Sequence, residues 1–180
     1  MSGFEVFGSV FGFVSIVFTV RASVWCWPTG IVSIGLLLVT YSRERLYGDV
    51  VNYAVMLVLS FWGWMMWGRR RDPVRVRLAS TRTRVVSALA VLAGTPLMGF
   101  VFDRFTDAAL PYWDSLVNTL ALVAQVLLAR KLVENWIFWI VSDGIAIGVY
   151  LSKGLYVVAG LYVVFLVVAF LGLREWLAKV

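Results

Sequence analysis

Between Glu134 and Asp143 the chain reads Glu-Asn-Trp-Ile-Phe-Trp-Ile-Val-Ser-Asp inside an otherwise apolar stretch. Polar side chains in such surroundings are costly, so each one points to a use. On a helix, Trp136, Trp139 and Asp143 stand at i, i+3 and i+7 and share one face. Two indole rings with a carboxylate one turn deeper could clamp a flat ligand that is cationic or hydrogen-bonding. The rings supply stacking and cation–π attraction, and the carboxylate fixes orientation. Asn135 opens the same run. Other roles compete: Trp136 and Trp139 as interfacial belt residues, and Asp143 as a buried structural bond to a neighbouring helix.

Asn118 and Gln125 are spaced i, i+7 and therefore lie on one helical face. Their amides donate and accept, which suits ribose hydroxyls or a carboxamide, although interhelical bonding is the competing use. Earlier in the chain Trp25, Trp27 and Pro28 occupy the place of the later tryptophan pair, with Pro28 a candidate hinge at a helix start. Asn52 and Tyr53 open another apolar run. Leu161 stands where a second Asn52 would be, so Asn52 serves either a one-sided ligand contact or a local cap.

Other chemistry is missing. There is no histidine, hence neither the commonest metal ligand nor the commonest general base. No Gly-rich phosphate cradle with its lysine is present, and no Ser/His/Asp set, metal cluster or carboxylate pair. No cofactor and no enzymatic activity are expected. One acid deep in a span, Asp143, is thin equipment for a proton relay.

The elements that must position these residues are membrane spans. Of 180 residues 62% are apolar and 14% charged, with a mean hydropathy of +0.90, which suits a single membrane domain over 1–180. Seven apolar segments can be drawn, approximately 4–20, 22–41, 50–67, 85–102, 113–129, 135–152 and 155–173. The net charge of +6 is matched by seven arginines and one acid between Arg69 and Arg84. That pattern reads as a cytoplasmic loop obeying the positive-inside rule, with lipid or partner binding as the alternative and no nucleic-acid role. It puts Arg130-Lys131 and the tail with Arg174 and Lys179 inside, the acidic 103–114 loop outside, and the N-terminus outside. The 42–49 loop, with Arg43 and Arg45 against Glu44 and Asp49, fits this least well. Cys26, the lone cysteine, reads as a small buried hydrophobe.

The chain also repeats itself. Slid so that Trp27 falls on Trp136, it matches itself at 17 of the 47 positions from Arg21 to Trp67. Among the matches are Ser33/Ser142, Tyr41/Tyr150, Leu46/Leu155, Tyr53/Tyr162, Gly63/Gly172 and Trp67/Trp176. This marks an internal duplication. Residues 4–67 form a first three-helix repeat, 85–102 a linker helix, and 113–176 a second three-helix repeat in the same sense. The result is an all-α, 3+1+3 parallel-repeat arrangement of seven transmembrane helices. Gly63/Gly172 and Trp67/Trp176 read as close packing plus interfacial anchors. Such duplication suits a transporter that alternates access around one central site, here by rocking about Pro28 and the glycines. A non-transporting membrane subunit is the other reading.

The run Glu-Asn-Trp-x-x-Trp-x-x-x-Asp at 134–143, with Tyr150, Lys153-Gly154-Leu155-Tyr156, Gly160-Leu161-Tyr162 and Gly172-x-x-Glu-Trp176, resembles the PnuC family of nicotinamide riboside transporters. Trp-Pro-x-Gly at 27–30, Tyr-Gly-Asp-x-x-Asn at 47–52, Asp114, Gln125 and Arg130-Lys131 agree. The resemblance implies a seven-helix fold related to the SWEET sugar transporters, with one ligand held at the membrane centre by aromatic and amide side chains. It implies facilitated diffusion of a vitamin, a plasma-membrane location and a homo-oligomer, often a trimer. Family branches carry riboflavin or thiamine instead; the tryptophan pair with Asn118 and Gln125 favours nicotinamide riboside.

Overall fold

Inside a bilayer an apolar run can satisfy its backbone on its own only as a helix. The computed structural model describes residues 3–43, 47–68, 75–106 and 108–180, and seven such helices form among them. They are α1 (Gly3–Val20), α2 (Cys26–Arg43), α3 (Tyr47–Gly68), α4 (Thr81–Phe105), α5 (Pro111–Ala129), α6 (Asn135–Ser152) and α7 (Tyr156–Leu177). Helices α3 to α7 each carry a stretch long and apolar enough to cross a membrane; α1 and α2 carry the shorter apolar runs Phe7–Val20 and Cys26–Thr40. Glu44, Arg45, Leu46, Arg69 to Arg71, Asp72 and Asp107, which figured in the loop and repeat readings, lie outside the described residues.

The second span starts later than its hydropathy suggests, at Cys26 instead of residue 22. Ala22 adopts a left-handed φ of 56°, and Ser23 N donates to Phe18 O at 2.9 Å, which ends α1 in a tight turn. Lys131, its counterpart in the second repeat, has φ 62° and closes the same turn through Leu132 N to Leu127 O. Pro28 falls in the first turn of α2, where a missing N–H leaves no bond unmade, so it favours initiation. Helix α4 is longer than 85–102 because Ser80 caps it, accepting from Thr83 N at 3.2 Å.

Packing closes a ring. Helix α1 lies on α2, α2 on α3, α3 on α5, α5 on α6, α6 on α7, and α7 returns to α1; α4 stands outside against α5. Ser33 Oγ donates to Gly8 O at 2.7 Å across α1 and α2, and Ser142 Oγ donates to Val117 O at 3.1 Å across α5 and α6. These are one bond used twice, both of its residues moved by the repeat offset. The outer surface is apolar, as contact with lipid requires: Leu92, Leu97 and Val157 are at least 70% exposed.

One strap has no copy among the described residues of the first half. Arg77 pairs with Leu132 in an isolated parallel bridge, and the buried Glu134 carboxylate accepts from Ala79 N at 2.8 Å and from Arg84 Nη2 at 2.7 Å. At the other end of the bundle Lys153 Nζ bonds both carboxylate oxygens of Asp114, at 2.8 and 2.9 Å.

Candidate substrate site in the helix ring

The ring encloses a cavity of about 310 Å³, bordered by all six of its helices and not by α4. Every lining residue from the second half has a first-half counterpart, at the repeat offset, that lines the cavity as well. Trp136 answers Trp27, Trp139 answers Gly30, Asp143 answers Ile34, Tyr162 answers Tyr53, and Gln125 answers Ile16. The positions are matched and the chemistry is not.

The floor of the cavity is made of tryptophan. Trp27 meets Trp67 edge to face at 5.4 Å, Trp67 meets Trp176 at 6.2 Å, and Trp176 meets Trp136 edge to face at 5.7 Å. This ladder lies at the end of the bundle that carries Arg21, Arg130, Lys131 and Arg174. Gly63 and Gly172 let it form, since a Cβ at either would stand inside the Trp27 or Trp136 ring. Trp67 Nε1 donates to Ala129 O at 3.1 Å and Trp176 Nε1 to the repeat-equivalent Val20 O at 3.1 Å, each capping a carbonyl at a helix end, and Trp176 Nε1 also lies 3.0 Å from Thr19 O. Trp67 and Trp176 are 1% and 0% exposed. Their reading as interfacial anchors therefore gives way to core packing. Trp27 and Trp136 are buried too, but their indole N–H groups have no partner among the described residues.

Above the floor stands the polar equipment. Asp143 is 5% exposed, lines the cavity, and makes no hydrogen bond or ion pair among the described residues. Trp139 lies one turn nearer the floor on the same face, and Tyr162, stacked on Tyr150 at 5.1 Å, faces the cavity from α7. Gln125 Nε2 donates to Ser60 Oγ at 3.1 Å, joining α5 to α3 at the cavity wall. Among the described residues the lining carries no lysine or arginine.

Of the residues singled out from sequence, Trp139, Trp136, Asp143, Gln125, Trp27 and Tyr53 come together here. Asn118, Asn135 and Asn52 are not on the lining. Asn118 shares a face with Gln125 but stands two turns, about 10.5 Å, nearer the start of α5. Asn135 is fully buried and its Nδ2 donates to Leu132 O at 2.6 Å, a turn closure. Asn52 keeps a buried Oδ1 without a partner among the described residues. Sequence reading passed over Gly30, Ser15, Ser60, Tyr162 and Phe165 as site residues. The repeat offset, applied to every candidate, leads to Gly30 and Tyr162, but not to Ser15, Ser60 or Phe165.

The family model described as nicotinamide mononucleotide transporter matches residues 2–178. The chain belongs to that family. Its members are membrane transporters and not enzymes, and the apolar helices make this chain a multi-pass membrane protein. The riboflavin/roseoflavin transporter RibM of Streptomyces davaonensis is 26% identical over 178 residues, covering 96% of this chain and 83% of that protein. The nicotinamide riboside transporter PnuC of Escherichia coli is 22% identical over 205 residues, covering 98% and 86%. A crystal structure of the vitamin B3 transporter PnuC superposes with a TM-score of 0.79 at 22% identity, over 98% of this chain and 81% of that one, and so shares the fold.

Proposed function

We propose that this protein carries nicotinamide riboside across the cell membrane by facilitated diffusion. One observation carries the reading: a cavity of nucleoside size that sets an indole, Trp139, beside an unpaired carboxylate, Asp143, with no basic side chain on its wall. An uncompensated carboxylate at membrane depth is costly, and a pyridinium ring stacked on Trp139 supplies the missing positive charge. A nucleotide suits this wall badly. Its phosphate would face Asp143 with no cation to receive it, so the dephosphorylated riboside is the better fit.

The helices support a 3+1+3 reading in which α1–α3 and α5–α7 are equivalent triplets joined by α4. Each triplet packs in the same internal order, and the seams α1 with α7 and α3 with α5 are exchanged by the repeat offset. The triplets rock against each other about the ligand. The tryptophan floor closes the arginine-rich end, which the positive-inside rule assigns to the cytoplasm, with the C-terminus inside and the N-terminus outside. RibM supports a second reading, riboflavin, whose tricyclic ring also stacks on indole.

The deciding experiment reconstitutes purified protein in liposomes and follows labelled nicotinamide riboside, riboflavin and thiamine without any ion gradient. Entry of the riboside to simple equilibration is the expected result. Entry of riboflavin alone would install the second reading. Uptake that requires a proton or sodium gradient would overturn facilitated diffusion.

A further inference from the structure

The two halves of the cavity wall are matched in position, yet the first half contributes four residues whose counterparts are hidden. Gly12, Ser15, Cys26 and Ser33 reach the cavity, whereas Ala121, Ala124, Asn135 and Ser142 do not. An exchange at one position accompanies this. The second half carries Trp139 and the first half carries Gly30. An indole stands on one side of the cavity and a bare Cα on the other, and on the side of the glycine the lining reaches the four further residues, as a lobe of the cavity. A Cβ at Gly30 would come within 2.9 Å of Ser15 Oγ, so the bare Cα of that glycine is what lets the Ser15 hydroxyl pack against it where both line the lobe.

The lobe has its own chemistry. Ser15 Oγ donates to Cys26 O at 2.7 Å, Thr19 Oγ1 to Ser15 O at 2.9 Å, and Ser33 Oγ to Gly8 O at 2.7 Å. Each hydroxyl has spent its proton on a backbone carbonyl and keeps lone pairs to offer. Three acceptors in a niche without a side chain at Gly30 suit a group rich in O–H donors and of sugar size. We infer that the first repeat holds the polyol part of the ligand in this Gly30 lobe while the second repeat holds the ring at Trp139 and Asp143. The inference rests on the reading of the cavity as the site of a ring-and-sugar vitamin. It gives the duplicated fold a division of labour and fixes one orientation of the ligand relative to the two repeats.

The test compares ligands that share a ring and differ in the sugar. Binding of nicotinamide riboside and of the N-methylnicotinamide cation is measured on purified wild type, Gly30→Val and Ser15→Ala, and likewise riboflavin against lumichrome. Gly35→Val is the control, since Gly35 lies on the same helix with open space around its Cβ position and off the cavity wall. Gly30→Val is expected to weaken the sugar-bearing ligand at least about tenfold and to leave the bare ring within about twofold. Ser15→Ala, which adds no bulk, is expected to shift affinity in the same selective way by a smaller factor. Equal loss for ring and sugar-bearing ligand, or no loss for either, would overturn the lobe assignment. Selective loss in the flavin pair alone would keep the lobe and replace nicotinamide riboside as the substrate. If wild type binds none of the four, the reading of the cavity fails and this inference falls with it.

Discussion

Trp67 and Trp176, repeat partners far apart in sequence, meet ring to ring at 6.2 Å with their planes tilted by 43°. The two stand at equivalent positions of the sequence repeat. Each indole N–H donates to the end of a helix in the other half of the chain, α5 for Trp67 and α1 for Trp176. The contact therefore joins the two halves at a point that both halves build identically.

Phenylalanine at either position keeps a ring and removes the N–H. A buried carbonyl then loses its partner, which costs about 1–3 kcal/mol. Trp67→Phe and Trp176→Phe are expected to lower the thermal unfolding midpoint in detergent by similar amounts. The double variant should fall short of the sum, because the two rings touch. A drop for one and none for the other would show that the two sites are not equivalent.

Gly63 and Gly172 make the sharper case. No side chain fits where each faces Trp27 or Trp136, since even a Cβ would enter the indole ring. Gly63→Ala and Gly172→Ala should each cost about 1–3 kcal/mol by overpacking. Pairing Gly63→Ala with Trp27→Leu should recover part of the loss, read by the same unfolding measurement. Full stability of the single variants would show that the ladder yields at no cost.

Much of this was legible in the sequence because a bilayer leaves few options. Apolar runs near the spanning length must be helices, and the residues that the repeat offset relates, such as Trp67 and Trp176, meet in the structure. The boundaries at 22 and 85 were not legible. They depend on a left-handed residue at Ala22 and a cap at Ser80, which hydropathy does not register. Asn118 shares the face of Gln125 and stays off the cavity lining, because periodicity fixes an angle around the helix and not a height along it. Gly30 was missed for a deeper reason. It lines the cavity without a side chain, and only the repeat position it shares with Trp139 draws attention to it.

The paired turns at Ala22 and Lys131 separate two effects that usually travel together. A left-handed φ of 56° in a residue with a Cβ costs about 1–2 kcal/mol, and glycine relieves it at some entropic expense. Ala22→Gly is expected to stabilise the protein by up to about 1 kcal/mol in thermal unfolding. Lys131→Gly relieves the same strain but removes an ammonium 5.7 Å from the centre of the Trp67 ring, an attraction of about 0.5–1 kcal/mol. The two terms nearly cancel, so Lys131→Gly should leave the midpoint almost unchanged. Equal stabilisation by both variants would mean that the lysine over Trp67 contributes nothing.

Asp143 and Trp139 share one face of α6 and line one cavity, and their variants should distinguish charge from stacking. Asp143→Asn keeps the shape and a hydrogen-bonding group while removing the negative charge. It should weaken a pyridinium ligand about tenfold or more and change the affinity of neutral riboflavin by far less. Trp139→Ala removes the stacking surface and should weaken both by about 1–3 kcal/mol. Calorimetric titration of each variant with both vitamins gives the four numbers needed. If Asp143→Asn weakens riboflavin as strongly as the riboside, the carboxylate acts as a hydrogen-bond acceptor for the sugar and not as a counter-charge for the ring. The ligand would then lie reversed in the cavity, with its polyol toward α6.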